Sequence, residues 1–115
     1  FAKSPVGMRM RNAFLNETLK REQPFVMSVP ASEADPSYPE DETILVQGII
    51  DAWFPEGDEI VLVDYKTDRV KEAGELKKRY EKQLAYYQQG LERTTGKKVK
   101  EKIIYSLALD EELVL

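Results

Sequence analysis

Two runs rich in β-branched residues on either side of a short turn place the strongest constraint on the fold of this chain. They cover residues 44–51 and 59–66, and the tetrapeptide PEGD at residues 55–58 separates them. Runs of this length and composition are typical of strands, and Pro, Gly and Asp favour turns. The sequence therefore predicts a β-hairpin near the middle of the chain.

Helical spacing of apolar residues indicates one helix before the hairpin and one after it. The first begins at Ser4-Pro5, with Pro at its first helical position. Its apolar positions are Val6, Met10, Ala13 and Phe14. The second covers about residues 76–91 and ends near Gly96. Its apolar positions are Leu76, Tyr80, Leu84, Tyr87 and Leu91, which makes it amphipathic.

Alternating apolar residues indicate two further strands, one from Pro24 and one over about residues 99–109. The alternating positions are Phe25, Met27 and Val29 in the first, and Ile103, Tyr105, Leu107 and Leu109 in the second. Residues 30–42 carry three Pro and five acidic side chains and are expected to form an irregular acidic connection. The order α-β-β-β-α-β predicts an α/β (α+β) fold, and 115 residues suffice for a single domain with one modest core.

The chain has no cysteine and no histidine, which excludes several classes of site. A disulfide scaffold, a thiol nucleophile, a zinc site built from Cys and His, and a Ser-His-Asp triad all need residues that this sequence lacks. A catalytic metal would need oxygen ligands, which favours Mg²⁺ or Mn²⁺. No run of 18 apolar residues occurs, so no transmembrane helix is expected.

Charge is strongly segregated along the chain, although the net charge is only −4. Residues 31–59 carry nine acidic side chains and no basic one, whereas residues 60–102 have a net charge of +5. An acidic average therefore does not exclude a nucleic-acid partner, because local fields decide binding. The basic stretch 77–79, with Lys82 and residues 97–98, could hold phosphates. A solvated charged helix beside an acidic loop explains the charges equally well.

Two acidic residues follow the apolar parts of the hairpin strands. Asp51 ends the first run and Asp64 follows four consecutive apolar residues. A carboxylate buried at a strand end is unfavourable unless a cation neutralises it. Alternation puts Asp64 and Lys66 on the same face of their strand. In the simple hairpin register Asp51 would lie near the start of the next strand, so it is expected to meet Asp64 only if the strands cross or the ladder bends.

Two carboxylates and a lysine suit metal-dependent phosphodiester hydrolysis. The carboxylates would bind Mg²⁺, which polarises a phosphate and lowers the pKa of a bound water. The lysine ammonium would orient that water or stabilise charge in the transition state. The alternative is a surface ion pair between Asp64 and Lys66, which contributes almost nothing to stability.

Three motifs, in the order of the predicted hairpin and the following helix, resemble those of a known superfamily. They are G-x-x-D at residues 48–51, D-Y-K-T at residues 64–67 and Q-x-x-x-Y at residues 83–87. Together they resemble the PD-(D/E)xK nuclease superfamily, in its RecB-like branch. The whole chain is also similar to the C-terminal nuclease domain of AddA-type subunits of bacterial ATP-dependent helicase/nucleases. The resemblance implies a restriction-endonuclease-like αβββαβ core, with a mixed sheet flanked by helices.

The resemblance also implies roles for the central residues of the motifs. Asp51 and Asp64 would be catalytic metal ligands, the backbone carbonyl of Tyr65 would supply a further ligand oxygen, and Lys66 would be the catalytic lysine. These four positions form the implied catalytic centre.

Five further residues receive supporting roles from the resemblance. Gln83 and Tyr87 would contact DNA or support the site, although Tyr87 also fits the apolar core. Thr67 and Asp68 would have supporting or turn roles. Glu22 matches an acid that precedes the first core strand of the family, and a surface or ion-pair role is equally compatible with its position.

The activity implied is that of a Mg²⁺-dependent DNA exonuclease domain, with Mn²⁺ as a substitute. Its substrate would be single-stranded ends, in a bacterial cytoplasmic enzyme that processes double-strand breaks for recombinational repair. ATP would bind only in a helicase part, and a second, AddB-type subunit would be the partner, with no membrane involved. A non-catalytic scaffold that binds DNA or a partner subunit, and a pure protein-interaction module, are the alternatives.

The sequence departs from the family at one metal ligand. Many RecB-like nucleases carry an additional ligand, usually histidine, on a helix before the first strand. Because this chain starts at Phe1 and has no histidine, that helix is expected to lie outside it. The 115 residues alone are therefore expected to bind metal weakly and to cut DNA slowly or not at all.

Overall fold

The computed structural model describes residues 1–115 apart from the side chain of Ala34. Its elements, in chain order, are α1 (Pro5–Leu15), β1 (Lys20–Pro30), α2 (Ala31–Ala34), β2 (Thr43–Glu56), β3 (Glu59–Lys66), α3 (Ala73–Thr95), β4 (Lys98–Ser106) and β5 (Glu111–Val114). The strands form one five-stranded sheet in the order β1-β2-β3-β4-β5. The predicted α+β fold with a mixed sheet and flanking helices is confirmed. None of the described helices is long and apolar enough to cross a membrane.

The sheet combines antiparallel and parallel pairing. The strand pairs β1–β2, β2–β3 and β4–β5 are antiparallel, whereas β3 and β4 are parallel. Parallel neighbours need a long crossover, and the 23-residue helix α3 provides it. Strand β3 is therefore hydrogen-bonded on both sides and lies at the centre of the sheet.

Two sets of buried residues flank β3, one that includes α1 and one that includes α3. The set that includes α1 consists of Val6, Met10, Ala13, Ala52, Phe54, Val61, Val63, Ile103 and Tyr105. The set that includes α3 consists of Phe25, Met27, Val29, Ile50, Ile60, Leu62, Leu76, Leu84, Tyr87, Leu91, Val99 and Ile104. Alternate residues of β3 enter the two sets, as strand geometry requires. Both faces of β3 are therefore buried.

Helix α1 begins as predicted, but its buried face is narrower than the predicted apolar stripe because it leaves out Phe14. The Ser4 side chain accepts a hydrogen bond from the Gly7 N–H, and Pro5 occupies the first helical turn. Phe14 was expected to join the buried stripe and is instead 60% exposed. At 100° per residue, Phe14 lies at the flank of the arc that Met10 and Ala13 define, at the edge of the buried face and not within it.

The C-terminal segment differs from the expectation of one strand to residue 109. Strand β4 ends at Ser106, and residues 107–110 form a turn that leads into β5. The Ser106 hydroxyl accepts a hydrogen bond from the Leu109 N–H, and Asp110 has a φ of 53°. Because the chain reverses here, the apolar alternation at Leu107 and Leu109 does not represent a strand, and Leu107 is exposed.

Three other boundaries differ from the sequence prediction. Strand β1 starts at Lys20, four residues before Pro24, and the short helix α2 occupies the start of the segment predicted to be irregular. Strand β2 continues through Glu56, which pairs with Glu59. The hairpin turn is thus confined to Gly57 and Asp58, where the φ of Gly57 is 63°. The extension of β2 moves Asp51 from a strand end to a strand interior.

Candidate active site

The two aspartates meet where β2 and β3 separate. The ladder between these strands starts at the Glu56–Glu59 pair and ends at the Ala52–Val63 pair. Asp51 precedes Ala52 and Asp64 follows Val63, so the antiparallel register makes the two aspartates the next opposing positions. The expectation that they could meet only through strand crossing or a bent ladder was wrong, because β2 extends five residues past Asp51.

Beyond the last pair of the ladder, the Asp51 side chain accepts a hydrogen bond that a backbone carbonyl would accept in a regular ladder. Its Oδ2 accepts a hydrogen bond of 2.8 Å from the backbone N–H of Tyr65. Residues two apart on a strand ordinarily share a face. Here Ile50 packs under α3 and Ala52 packs under α1. The regular alternation of side chains along β2 is therefore interrupted at Asp51, and the residues on either side of it face opposite sides of the sheet.

Glu22 lies across from Asp51 in the ladder with β1. It falls between the pairs Arg21–Ala52 and Gln23–Ile50 and has a φ of 49°. A left-handed backbone is unfavourable for a residue with a side chain, and such strain is concentrated at functional sites. Glu22 and Asp51 line the same hollow on the α1 side of the sheet. Among the described residues, no group of three acidic side chains is arranged to hold a metal ion.

Asp64 is a buried carboxylate with an incomplete set of partners. It is 3% exposed, and its Oδ2 lies 2.8 Å from Nζ of Lys66. Apart from this ion pair, Oδ2 has no hydrogen-bond donor among the described residues. Burial raises the pKa of Asp64 to about 6; Lys66 opposes this shift and the neighbouring Asp51 adds to it.

Lys66 is held by side chains of α3. Its Nζ donates a hydrogen bond of 3.0 Å to Oε1 of Gln83 and lies 3.9 Å from the centroid of the Tyr80 ring. The Tyr80 hydroxyl in turn donates to Oδ2 of Asp68 at 2.7 Å, and Arg79 pairs with the same oxygen. The ammonium is thus fixed from three directions, by a carboxylate, an amide and an aromatic face.

Tyr80 was not among the residues singled out from the sequence, where it was only a member of the apolar stripe. The signal that could have found it is its spacing. Tyr80 precedes Gln83 by three residues, and residues three apart are neighbours on a helix surface. Because Gln83 was expected to contact DNA or support the site, an aromatic residue one turn earlier was a further candidate for the same site.

Tyr87 lies in the core and not in the open site. It is 4% exposed, and its ring meets that of Phe25 edge-on at 5.0 Å. Its hydroxyl lies against Gly48, where a Cβ would come within 2.5 Å of the oxygen. Burial raises the pKa of Tyr87. The tyrosine of the third motif and the glycine of the first are therefore in direct contact. Thr67, by contrast, is exposed beyond the end of β3.

The residues present fit a hard divalent cation with few protein ligands. Asp51 and Asp64 supply adjacent carboxylates, and Oδ2 of Asp64 is a buried acceptor without a donor. Mg²⁺ commonly takes one or two carboxylates and completes its octahedral shell with water or substrate phosphate. The Lys66 ammonium lies beside the Asp64 carboxylate and donates a hydrogen bond to Gln83.

Known proteins match this chain over nearly its whole length. A sequence model of the PD-(D/E)XK nuclease superfamily matches residues 5–113. The chain is 44% identical over 114 residues to the A subunit of the ATP-dependent helicase/nuclease of Clostridium botulinum (strain Loch Maree / Type A3). It is 41% identical, over the same length, to the protein of that name from Clostridium kluyveri (strain NBRC 12016).

Both matches cover 96% of this chain, which spans only 9% of the length of these relatives. The match to the superfamily agrees with the five-stranded mixed sheet and with the aspartates and lysine at its divergence. The chain belongs to the PD-(D/E)XK nuclease superfamily.

Proposed function

We propose that this chain is a metal-dependent nuclease that hydrolyses phosphodiester bonds in DNA. One observation carries the proposal: Asp51 and Asp64 oppose each other where β2 and β3 separate, with the Lys66 ammonium 2.8 Å from Asp64. A buried carboxylate whose pKa is raised by burial, beside a second carboxylate and a lysine, is a typical feature of catalytic sites.

Each residue of the site has a defined task in this proposal. Asp51 and Asp64 would hold Mg²⁺ or Mn²⁺, and the Tyr65 carbonyl remains a candidate further ligand. The metal, when bound, would polarise the phosphodiester and activate water. Lys66 would stabilise the negative charge that develops on the phosphate oxygens in the transition state. Gln83 and Tyr80 would keep the ammonium in place, since both contact it directly.

The names of the relatives extend the proposal to a larger protein. As part of the AddA-type chain of a helicase/nuclease, the domain would degrade single-stranded ends in the bacterial cytoplasm. ATP would bind in the helicase part, and an AddB-type subunit would be the partner in recombinational repair of double-strand breaks. These steps rest on the likeness to proteins of which this chain covers 9%.

Cleavage assays with matched variants test the nuclease proposal. A labelled single-stranded oligonucleotide is incubated with Mg²⁺ or Mn²⁺ and with wild-type, Asp64→Asn or Lys66→Ala protein. Each variant is expected to lower the rate by about 10²-fold or more, the range for loss of one electrostatic catalytic group. Asp58→Asn and Lys71→Ala remove an exposed carboxylate and an exposed ammonium outside the basic stretch and should leave the rate unchanged.

Calorimetric titration with Mn²⁺ tests the metal site independently of turnover. Wild-type protein is expected to bind Mn²⁺, and Asp64→Asn to lose that binding. Cleavage by Asp64→Asn at the wild-type rate would contradict the assignment. Metal-independent DNA binding that is unaffected by Asp51→Asn, without any cleavage, would favour the scaffold alternative instead.

A further inference from the structure

A groove opens beside Asp51 on the α1 side of the sheet. Its volume is about 610 Å³, within the range of ligand-binding clefts, and its walls come from α1, β1 and the β2–β3 divergence. Arg11, Phe14 and Arg21 lie along it, together with Asp51 and Tyr65. We refer to the hollow lined by these five residues as the α1 groove.

The α1 groove carries two arginines that are available to a ligand. Among the described residues, the arginine ion pairs are made by Arg9 and Arg79, whereas Arg11 and Arg21 are exposed and make none. Arg21 and Tyr65 line the same groove, so the guanidinium lies along the wall that leads to Asp51. Guanidinium groups match phosphate geometry with paired donors.

Phe14 adds an aromatic surface to the same groove. The ring is 60% exposed, and the guanidinium carbon of Arg21 lies 5.8 Å from its centroid. A second hollow of about 430 Å³, lined by Phe14, Leu15, Glu17 and Leu19, shares Phe14 with the α1 groove. Open space therefore adjoins the Phe14 ring in both hollows.

We propose that the α1 groove binds one strand of DNA next to Asp51, with a base stacked on Phe14 and a phosphate held by Arg11 and Arg21. The proposal rests on the nuclease function proposed above, because it supplies the path by which the scissile bond reaches Asp51. It specifies a single strand, since the faces of bases are available for aromatic stacking only where they are unpaired.

The charges of the groove make the arginines necessary for binding. Glu22 lines the α1 groove together with Asp51, and the two carboxylates repel a phosphate in the absence of a metal. Arg11 and Arg21 offset that repulsion. Loss of either arginine should therefore weaken strand binding in metal-free buffer more than loss of an exposed arginine elsewhere.

Fluorescence anisotropy with the whole 115-residue chain tests the proposal. The probe is a labelled single-stranded oligothymidine in EDTA and low salt, where no cleavage occurs. Phe14→Ala should raise the dissociation constant by about 5- to 100-fold, the range for loss of one stacked base. Arg21→Gln should raise it by about tenfold or more and make the salt dependence shallower by about one phosphate contact.

Two matched variants control for surface changes. Leu45→Ala removes an apolar side chain of β2 that is 67% exposed and lines neither hollow, and Arg93→Gln removes an exposed arginine from the C-terminal turn of α3. Both should bind the probe within about twofold of wild type, as is usual for surface substitutions away from a contact. Thermal melts of all four variants establish that each is folded.

Three results would overturn the proposal. They are wild-type protein that does not bind the probe, Phe14→Ala and Arg21→Gln that bind no more weakly than their controls, and duplex DNA bound as tightly as single strands without an effect of Phe14→Ala. The cleavage assay distinguishes failure of the groove proposal from failure of the nuclease proposal. If Asp64→Asn abolishes cleavage while the groove variants bind and cut like wild type, the nuclease proposal stands and only the proposed role of the α1 groove is wrong.

Discussion

At the scale of single residues, the burial of Asp64 makes stability depend on pH. Burial raises the pKa of this carboxyl from 3.8 to about 6, so the folded chain binds the proton more tightly than the unfolded chain does. Stability contributed by the protonated form is present below about pH 4 and is lost as the pH rises through 6. The buried, ionised carboxylate of Asp64 is therefore unfavourable for folding near neutral pH.

Urea unfolding in EDTA of wild type and Asp64→Asn checks this prediction. Between pH 4 and pH 8, wild type should lose about 1 to 3 kcal/mol of unfolding free energy relative to the variant, on the scale of 1.36 kcal/mol per pKa unit. Asp58→Asn, which removes an exposed carboxylate in the hairpin turn, should show no such drift. A constant difference between wild type and Asp64→Asn would contradict the raised pKa.

The contact between Gly48 and Tyr87 predicts that substitutions at these two positions have non-additive effects on stability. Gly48→Ala would bring a Cβ within 2.5 Å of the Tyr87 hydroxyl and should destabilise the fold by about 1 to 3 kcal/mol, as for overpacking in a core. Tyr87→Phe removes that oxygen and leaves a ring carbon at 3.4 Å, an ordinary contact.

The double variant Gly48→Ala with Tyr87→Phe should therefore be more stable than Gly48→Ala alone. Urea unfolding of the four proteins measures the coupling between the two positions. Additive effects of the two substitutions would show that the clash is relieved in another way, for example by a shift of α3.

The site residues differ in how far the sequence could predict them. Spacing within the motifs was enough to bring Asp64 and Lys66 to one strand face and Gln83 to the covering helix. Spacing places Tyr80 one turn before Gln83 on the helix, but the contact of its ring with Lys66 also depends on the angle at which α3 crosses the sheet. Spacing could not reveal the left-handed backbone of Glu22, which depends on how β1 and β2 pair.

At the scale of secondary-structure elements, Arg9 joins α1 to two strands. Its guanidinium pairs with Glu56 of β2 at 2.7 Å and with Glu101 of β4 at 3.0 Å. These hydrogen bonds lower the pKa of Glu56 from 4.5 to about 2 and lower that of Glu101 as well. Because the folded pKa is depressed, the stabilisation is present above pH 4.5 and is lost as the pH falls towards 2.

Replacement of Glu56 by Gln should remove part of this acid sensitivity. We expect Glu56→Gln to be less stable than wild type at pH 7 and the difference to shrink as the pH is lowered from 5 to 3. Chemical denaturation at each pH measures it, and Glu59→Gln, across the same hairpin turn, is the control. A difference that stays constant down to pH 3 would show that the Arg9 pairs do not link α1 to the sheet.

The elements themselves followed from periodicity where it extends over many residues. Both long helices and the central hairpin were predicted because their apolar positions repeat over two or more turns or along whole strands. β5 was not predicted, because four residues are too few to establish a period and Leu107 and Leu109 continued the alternation of β4 through the turn. The end of β2 was misplaced because Trp53 and Phe54 were not included in the first strand of the hairpin.

At the scale of the whole molecule, the sheet order makes β3 the most protected strand. Strand β3 is paired with β2 on one side and β4 on the other, and residues 60–64 are buried under both helices. Strand β5 is paired with β4 alone, and residues 35–42 contain neither helix nor strand. Local opening needs little free energy where few buried contacts are broken, whereas the centre of a sheet opens only with the whole fold.

Native-state hydrogen exchange should therefore be slowest for the amides at the centre of the sheet and faster for those at its edge and in the connecting segments. Val61, Leu62 and Val63 should exchange only by global unfolding, with a denaturant dependence equal to that of equilibrium unfolding. Amides of β5 should exchange faster and with a shallower dependence, and those of residues 35–42 fastest. Because Asp64 follows these three residues, slow exchange there would also mean that the strand carrying the catalytic candidates is held rigidly. If β3 exchanged as fast as β5, the parallel pairing of β3 with β4, which places Lys66 against α3, would be wrong.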